Sequence, residues 1–311
     1  VDACKENGFI SKPDLIPSYR WHFRALLREI LFFIYLFIHK YFPLFINRKK
    51  ALLIAANGST IKDIAFPYYG SYEIVPMLWD VWPYSWDRMI DSFKNIDIKT
   101  VLVSSSQMAR YINNETETKA YWIPEALTIE HYEQGSILVK RENDVFEMGR
   151  QLPAYHAVLM SLYEKGKLRG YKTSNLNSDG TLNDRKVAYT NDELYKLMSV
   201  CKIMVCFPQC DTNPKRAGSI ETLTQRFWEA MLSGCLMIGR APKELIDFIG
   251  YNPVTDVDWN NPERQLLGIL GNIIKYQQLV DRNVKVAKQK ASWKSRMALI
   301  KKCLRNAGYD V

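Results

Sequence analysis

The chain has 311 residues, 47% of them apolar and 24% charged, and its 42 basic against 33 acidic side chains give a formal net charge of +9. The apolar fraction is too high for a disordered chain, and 15 glycines and 13 prolines exclude collagen-like and low-complexity sequence. The length suggests two domains, each large enough to bury its own core.

Residues 1–19, with Asp2, Lys5, Glu6, Pro13 and Pro17, lack the basic start and apolar core of a secretory signal. The most apolar stretch follows over 26–46, with an unbroken run at 31–38 closed by His39, Lys40 and Pro43. A spanning helix needs about 20 mostly apolar residues, so the pattern predicts a long non-spanning helix around 20–46. Arg20, Arg24, Arg28, Lys40, Arg48, Lys49 and Lys50 flank it, and Glu29 is the only acid between 20 and 50. Such a helix suits either the core of the N-terminal domain or the headgroup region of an anionic membrane surface.

Strands are expected over 51–55, 74–78, 100–103 and 121–124, alternating with helices over 84–95 and 106–113. Ser104-Ser105-Ser106 is a good N-cap for the second of these helices. The segment Trp79-Asp80-Val81-Trp82-Pro83-Tyr84-Ser85-Trp86-Asp87 lies at the carboxyl end of the second strand, where parallel sheets form sites. Its tryptophans read equally well as a packed aromatic cluster or as a platform for a sugar ring. Glu130, His131, Glu133, Gln134 and Gly135 mark a hydrophilic boundary, dividing the chain into domains 1–135 and 136–311.

The second half repeats the alternation. A strand over 144–148 leads to Gly149-Arg150 and a helix near 153–165, with His156 expected on the helix surface. Thr190-Asn191-Asp192-Glu193 opens a helix over 191–199. A strand over 202–207, a polar loop over 208–219, a helix over 221–233, a strand over 235–239, a helix over 242–249 and helices within 261–309 complete the pattern. Cys201 and Cys206 flank the apolar Ile203-Met204-Val205, and no His near them or Cys210 completes a zinc site. With Cys4, Cys235 and Cys303 they read as reduced thiols of a cytoplasmic protein. Between 284 and 306 lie eight basic residues and no acid, with Trp293, Met297, Ile300 and Leu304 at helical spacing. This is a basic amphipathic helix, packed on the body of the protein or applied to a membrane, and no nucleic-acid motif accompanies it. The alternation predicts an α/β fold with two Rossmann-like domains and ligands at the carboxyl ends of the strands, in the cleft between them.

The informative segment runs over 218–238. Leu223, Phe227, Ala230 and Met231 form one apolar helical face, Gly234 stops the helix, and an apolar strand follows at once. Glu221 and Glu229 are eight positions apart, which on a helix means about 12 Å of rise and about 80° of rotation. They cannot share a proton or chelate one metal, but they can hold hydroxyls at opposite ends of an extended ligand. The amides of Thr222, Leu223 and Thr224, at the expected helix N-terminus, would receive a diphosphate between them. Hydroxyls, diphosphate and hydroxyls describe a nucleotide-sugar. Arg150 would offer a cation to the departing diphosphate, and Arg226 reaches phosphate unless it lies on the exposed face.

Glu221, seven residues, then Glu229-Ala230-Met231, a small-residue turn and an apolar strand resembles the signature of retaining glycosyltransferases of family four, of the bacterial surface-polysaccharide type. Gly149-Arg150 resembles that family's Gly-Arg after the first strand of its C-terminal domain. The resemblance covers 140–311 in organisation and is sharp over 218–238. It implies the GT-B fold, with a shortened N-terminal domain and a C-terminal helical extension here. Glu221 would contact the donor sugar and Glu229 the ribose, while the intervening amides hold phosphate. A UDP- or GDP-hexose is the implied donor, with no cofactor or metal, and transfer proceeds by front-face displacement. Comparable enzymes place a His or Asp near the position of Asp80, which makes Asp80 the candidate for the acceptor hydroxyl or the reacting sugar. The chain departs from the family in having no Lys within 151–156, for which Lys215 or Arg216 would substitute, and in having Leu223 where Gly is usual. The expected activity moves a hexose to a glycan or lipid-linked oligosaccharide at the inner face of a membrane. The alternatives are a non-catalytic sugar- or nucleotide-binding protein on the same scaffold, and a basic membrane- or RNA-binding protein.

Overall fold

The computed structural model describes residues 2–10, 21–42, 50–58, 60–66, 68–174, 188 and 190–311. The chain divides into two compact units, residues 1–124 with 296–311, and residues 125–295. Each is an α/β unit on a parallel sheet, as the strand–helix alternation predicts.

The first unit contains α1 (Asp2–Glu6), α2 (Trp21–Tyr41), β1 (Ala51–Asn57), α3 (Ile61–Ala65), β2 (Glu73–Trp79), α4 (Trp86–Asn95), β3 (Thr100–Val103), α5 (Ser106–Glu115) and β4 (Lys119–Trp122). The strands lie side by side in chain order. Ile74, Val75, Leu78, Val101, Leu102 and Val103 are buried, because crossover helices cover a parallel sheet and its strands become continuous apolar runs. The expected serine cap is formed by Ser105, whose hydroxyl accepts from the Met108 N–H at 3.4 Å. The long helix ends at Tyr41, and the expected continuation over 43–46 lies outside the described residues.

The second unit holds β5 (Asn143–Glu147), α6 (Pro153–Glu164), β6 (Lys172–Thr173), α7 (Asn191–Ser199), β7 (Cys201–Cys206), α8 (Gln209–Thr212), α9 (Pro214–Ala217), α10 (Gln225–Leu232), β8 (Leu236–Gly239), α11 (Lys243–Ile249), β9 (Val254–Asp256), α12 (Pro262–Gly271) and α13 (Gln277–Lys290). The final helix, α14 (Trp293–Asn306), starts here and continues into the first unit from Arg296. Strand order is β6-β5-β7-β8-β9, all parallel. The capping box of Thr190 and Glu193 is present. Cys201, Cys206 and Cys235 are buried, and burial pushes the Cys235 thiol up to about 11. Two strands escape sequence patterning because β6 has two residues and β9 three, too few for a period to show. The polar loop over 208–219 contains the single-turn helices α8 and α9.

The division differs from the expected 1–135 and 136–311 at both ends. The hydrophilic segment after Pro124 is fastened to the second unit rather than linking two bodies. Trp228 donates its indole N–H to the Glu125 carbonyl at 3.0 Å, and the Leu127 N–H donates to the Ala291 carbonyl at 2.8 Å. Arg141 is buried and donates to the carbonyls of Ser136 and Cys201, each at 2.8 Å, and of Ser233 at 3.1 Å. A buried guanidinium needs such acceptors, and these fix the segment in place. At the other end, Met297, Ile300, Cys303 and Leu304 bury the apolar face of α14. Tyr309 beyond it donates to Glu73 of β2 at 2.5 Å.

Gly239 closes β8 at φ +144°, where an added Cβ would stand 2.0 Å from the Cys206 carbonyl oxygen. No flexible side chain can yield there, because the obstacle is the neighbouring strand's backbone. Gly239→Ala is therefore expected to destabilise the fold by at least about 3 kcal/mol, read as a lowered midpoint in urea unfolding; an unchanged midpoint contradicts the packing of β7 on β8.

Candidate functional site

In the second sheet, β6 lies on one side of β5, while β7, β8 and β9 continue on the other. The winding direction therefore changes between β5 and β7, and in such sheets a crevice opens at the carboxyl ends of those two strands. Gly149-Arg150 leaves β5 there, α8 leaves β7 and Arg240 leaves β8. Arg150 donates across the switch point to Gln209 Oε1 at 2.6 Å. Arg226, in the first turn of α10, donates to the Arg150 carbonyl at 3.2 Å. Gly149 has φ +68°, and an added Cβ would lie 2.8 Å from the Arg226 guanidinium. The Arg226 guanidinium thus lies over the glycine loop while that of Arg150 turns to Gln209, two cations at one strand edge suited to a phosphate or other anion.

Glu221 lies on the same strand edge but not on a helix. The expected helix over 221–233 begins only at Gln225, with Thr224 extended at its N-cap. The reason is a competing partner: buried Glu244, at the start of α11, accepts from the Leu223 N–H at 3.0 Å and the Thr222 hydroxyl at 3.2 Å. A second carboxylate, Glu125, accepts from the Gln225 N–H at 3.1 Å. Two amides of this segment, those of Leu223 and Gln225, are therefore bonded to carboxylates of the protein, which favour the positive end of a helix as a phosphate does. The helical rise and rotation expected between Glu221 and Glu229 do not apply.

Glu221 bonds Arg240 through Oε1, and its Oε2 accepts from the Lys243 N–H at 3.0 Å. Arg240 also grips Asp211 with two bonds of 2.7 Å. Hydrogen bonding to Asp211 holds the Arg240 guanidinium charged and above its ordinary pKa, while partial burial opposes this. Glu229 sits on α10 and accepts from the Tyr132 hydroxyl at 3.2 Å. Burial pushes its pKa up, and the bond from Tyr132 and the charge of Arg226 oppose the shift.

Beneath the Gly149 loop, His156 does not lie free on the surface of α6. Its Nδ1 pairs with Glu147 Oε2 at 2.7 Å, and Tyr171 donates to the same buried oxygen at 2.5 Å. In the first unit, Asp80 follows β2 at φ +55°, a left-handed backbone rare for a side-chain-bearing residue, and it accepts from the Trp82 indole at 3.1 Å. Trp86 stacks on Tyr111 with ring centroids 4.1 Å apart, so this tryptophan is packed against its own unit. Lys215 and Arg216 lie on α9.

The second unit thus brings Arg150, Arg226 and Glu221 to one strand edge, with Thr222, Leu223 and Thr224 joining Glu221 to α10. Sequence reading did not find Arg240, Asp211, Gln209, Glu244, Glu125 or Tyr132. Each acts through a contact distant in sequence, and none carries a spacing that would mark it beforehand.

Neither a family model nor a curated protein sequence matches the chain. Solved structures do. The pneumococcal O-GlcNAc transferase GtfA, in complex with UDP and GlcNAc, matches at 13% identity and a TM-score of 0.50, over 85% of this chain and 58% of its own. Anabaena Alr3699/HepE, in complex with UDP and glucose, matches at 13% identity and a TM-score of 0.57, over 82% and 78%. TarM matches at 12% identity and a TM-score of 0.55, over 83% and 55%. The chain therefore spans little more than half the length of GtfA and TarM. The likeness shows the fold: a mixed α/β architecture of two Rossmann-like units, as in these proteins.

Removing the cation between Glu221 and Asp211 leaves two carboxylates facing the same gap. Arg240→Ala is expected to lower stability by about 1–2 kcal/mol after solvent screening, and Arg240→Lys to recover only part of it because a lysine lacks the planar fork. Urea unfolding of both variants measures this, and a wild-type midpoint for Arg240→Ala would show that the two acids do not depend on it.

Proposed function

We propose that this protein is a glycosyltransferase that takes a hexose from a nucleotide-diphosphate sugar and delivers it, with retention, to a hydroxyl of a glycan or lipid-linked oligosaccharide. The observation that carries the reading is that Arg226 reaches over Gly149 to the Arg150 carbonyl while the Arg150 guanidinium crosses the switch point to Gln209, with Glu221 on the same strand edge. Folds shared with proteins solved with UDP and a sugar support a nucleotide-sugar as the ligand and favour UDP.

In this reading the diphosphate lies against the two guanidinium groups, which neutralise it as it departs, without a metal or cofactor. Glu221 accepts hydroxyls of the donor sugar and Glu229 those of the ribose, while the Leu223 amide and Thr222 hydroxyl stay with Glu244 and leave the phosphates to the two arginines. The bond from the anomeric carbon to the diphosphate breaks as the bond to the acceptor oxygen forms on the same face. The acceptor proton passes to the departing phosphate oxygen. Asp80 serves the acceptor side. The protein works at the cytoplasmic face of a membrane, as a lipid-linked acceptor requires.

A second reading, a non-catalytic binding protein on the same scaffold, has its own support. Glu221 is engaged by Arg240 and Lys243, and two nearby amides are taken by carboxylates. Calorimetric titration with UDP and GDP, followed by turnover of their sugars, separates the two readings. Binding with turnover is expected. Arg150→Ala and Arg226→Ala should each weaken diphosphate binding at least about tenfold. Glu221→Ala should abolish turnover and leave binding of the free nucleotide within about threefold. Binding without turnover of any sugar would favour the second reading, and no binding of either nucleotide would overturn both.

A further inference from the structure

We propose that the outward face of α2 seats the protein on an anionic bilayer surface. This deepens the membrane placement proposed above and does not depend on the donor chemistry. One side of α2 belongs to the core of the first unit: Phe32 and Tyr35 are 4% and 7% exposed and pack on Tyr69. Lys62 lies over the Phe32 ring and pairs with Glu29 at 2.7 Å. The other side carries Leu26, Leu27, Ile30, Leu31, Phe33, Ile34, Phe37 and Tyr41, all exposed, with Leu26 at 65%, Phe33 at 68% and Phe37 at 57%. At 100° per residue these eight positions span an arc of about 160°. Phe42, just beyond the helix, is exposed as well. An unbroken apolar stripe of this length on an otherwise packed helix marks a surface that is covered in use.

Charge identifies what covers it. Residues 20–50 carry seven basic side chains and one acid, and that acid, Glu29, is paired with Lys62. Lys40, in the last turn of α2, and Lys50, immediately before β1, are exposed. A second copy of this chain would bring the same positive charges together, whereas an anionic headgroup layer neutralises them while the aromatic and aliphatic groups enter the acyl boundary. No described helix is long and apolar enough to cross a membrane, so α2 would lie in the plane of the surface. The other basic amphipathic helix, α14, is no competitor, because Met297, Ile300, Cys303 and Leu304 already bury its apolar face.

The test is co-sedimentation of the full chain with vesicles of phosphatidylcholine alone and with added phosphatidylglycerol. Binding is expected to the mixed vesicles, to weaken with added salt, and to fall at least about tenfold in both Phe33→Ser/Phe37→Ser and Lys40→Glu/Lys50→Glu. Circular dichroism and urea midpoints like the wild type's show that the variants keep the fold, which their exposed positions favour. The salt dependence of wild-type binding needs no variant. No binding to mixed vesicles, equal binding to both compositions, or variants that bind as well as wild type would overturn the proposal. So would a dimer in sedimentation equilibrium that Phe33→Ser/Phe37→Ser disperses, since a second copy would then cover the face. UDP titration of the same protein reports on the donor reading by itself, so failure of either proposal is recognised separately.

Discussion

Parallel strands joined by crossovers leave a gap only where the winding changes direction, and in the second unit that point lies between β5 and β7. The chemistry of the site follows from it. Arg150 departs from one strand end and bonds Gln209 at the next, while Arg226 approaches over Gly149, whose missing side chain leaves room for the guanidinium. Glu221, Asp211 and Arg240 occupy the neighbouring stretch of the same edge as one ion-paired group. Below them, Glu147 ties the root of the loop to α6 and to Tyr171 through a single buried oxygen.

Much of this arrangement was legible in the residues, and the limits have physical causes. The capping box at Thr190 and Glu193, the cap at Ser105 and the apolar strands are local signals, and each forms where its pattern points. The start of α10 is different. Leu223 stands four positions before Phe227 and fits the helical face, but Glu244, 21 residues away, takes its amide and holds the segment extended. The segment after Pro124 is hydrophilic and reads as a linker, yet one of its charges, Arg141, is buried against carbonyls from residues 136, 201 and 233. Composition records polarity without recording whether the polar group has found a partner. The resemblance carried by Glu221 and Glu229 singles out two carboxylates but could not reveal that Arg240 reaches one of them.

The two basic amphipathic helices show the same limit from another side. Their sequences are alike in kind: bulky apolar residues at helical spacing among lysines and arginines. In α14 the apolar face is consumed by the first unit, and its lysines are the solvated side of a packed helix. In α2 only Phe32, Tyr35 and their neighbours are consumed, and the larger stripe stays outside. Periodicity defines a face, but the share of it that the protein itself covers is decided by the rest of the chain.

The first unit is discontinuous: the chain leaves it at Pro124 and re-enters it at Arg296, with the whole second unit inserted between. During synthesis, the four strands of the first unit and the apolar cluster around them are therefore made well before α14. The second unit, by contrast, is continuous and needs nothing from the chain beyond Ser295 to finish folding. The first unit thus forms in two steps, its sheet and apolar cluster early and its share of α14 only after the inserted unit has been made.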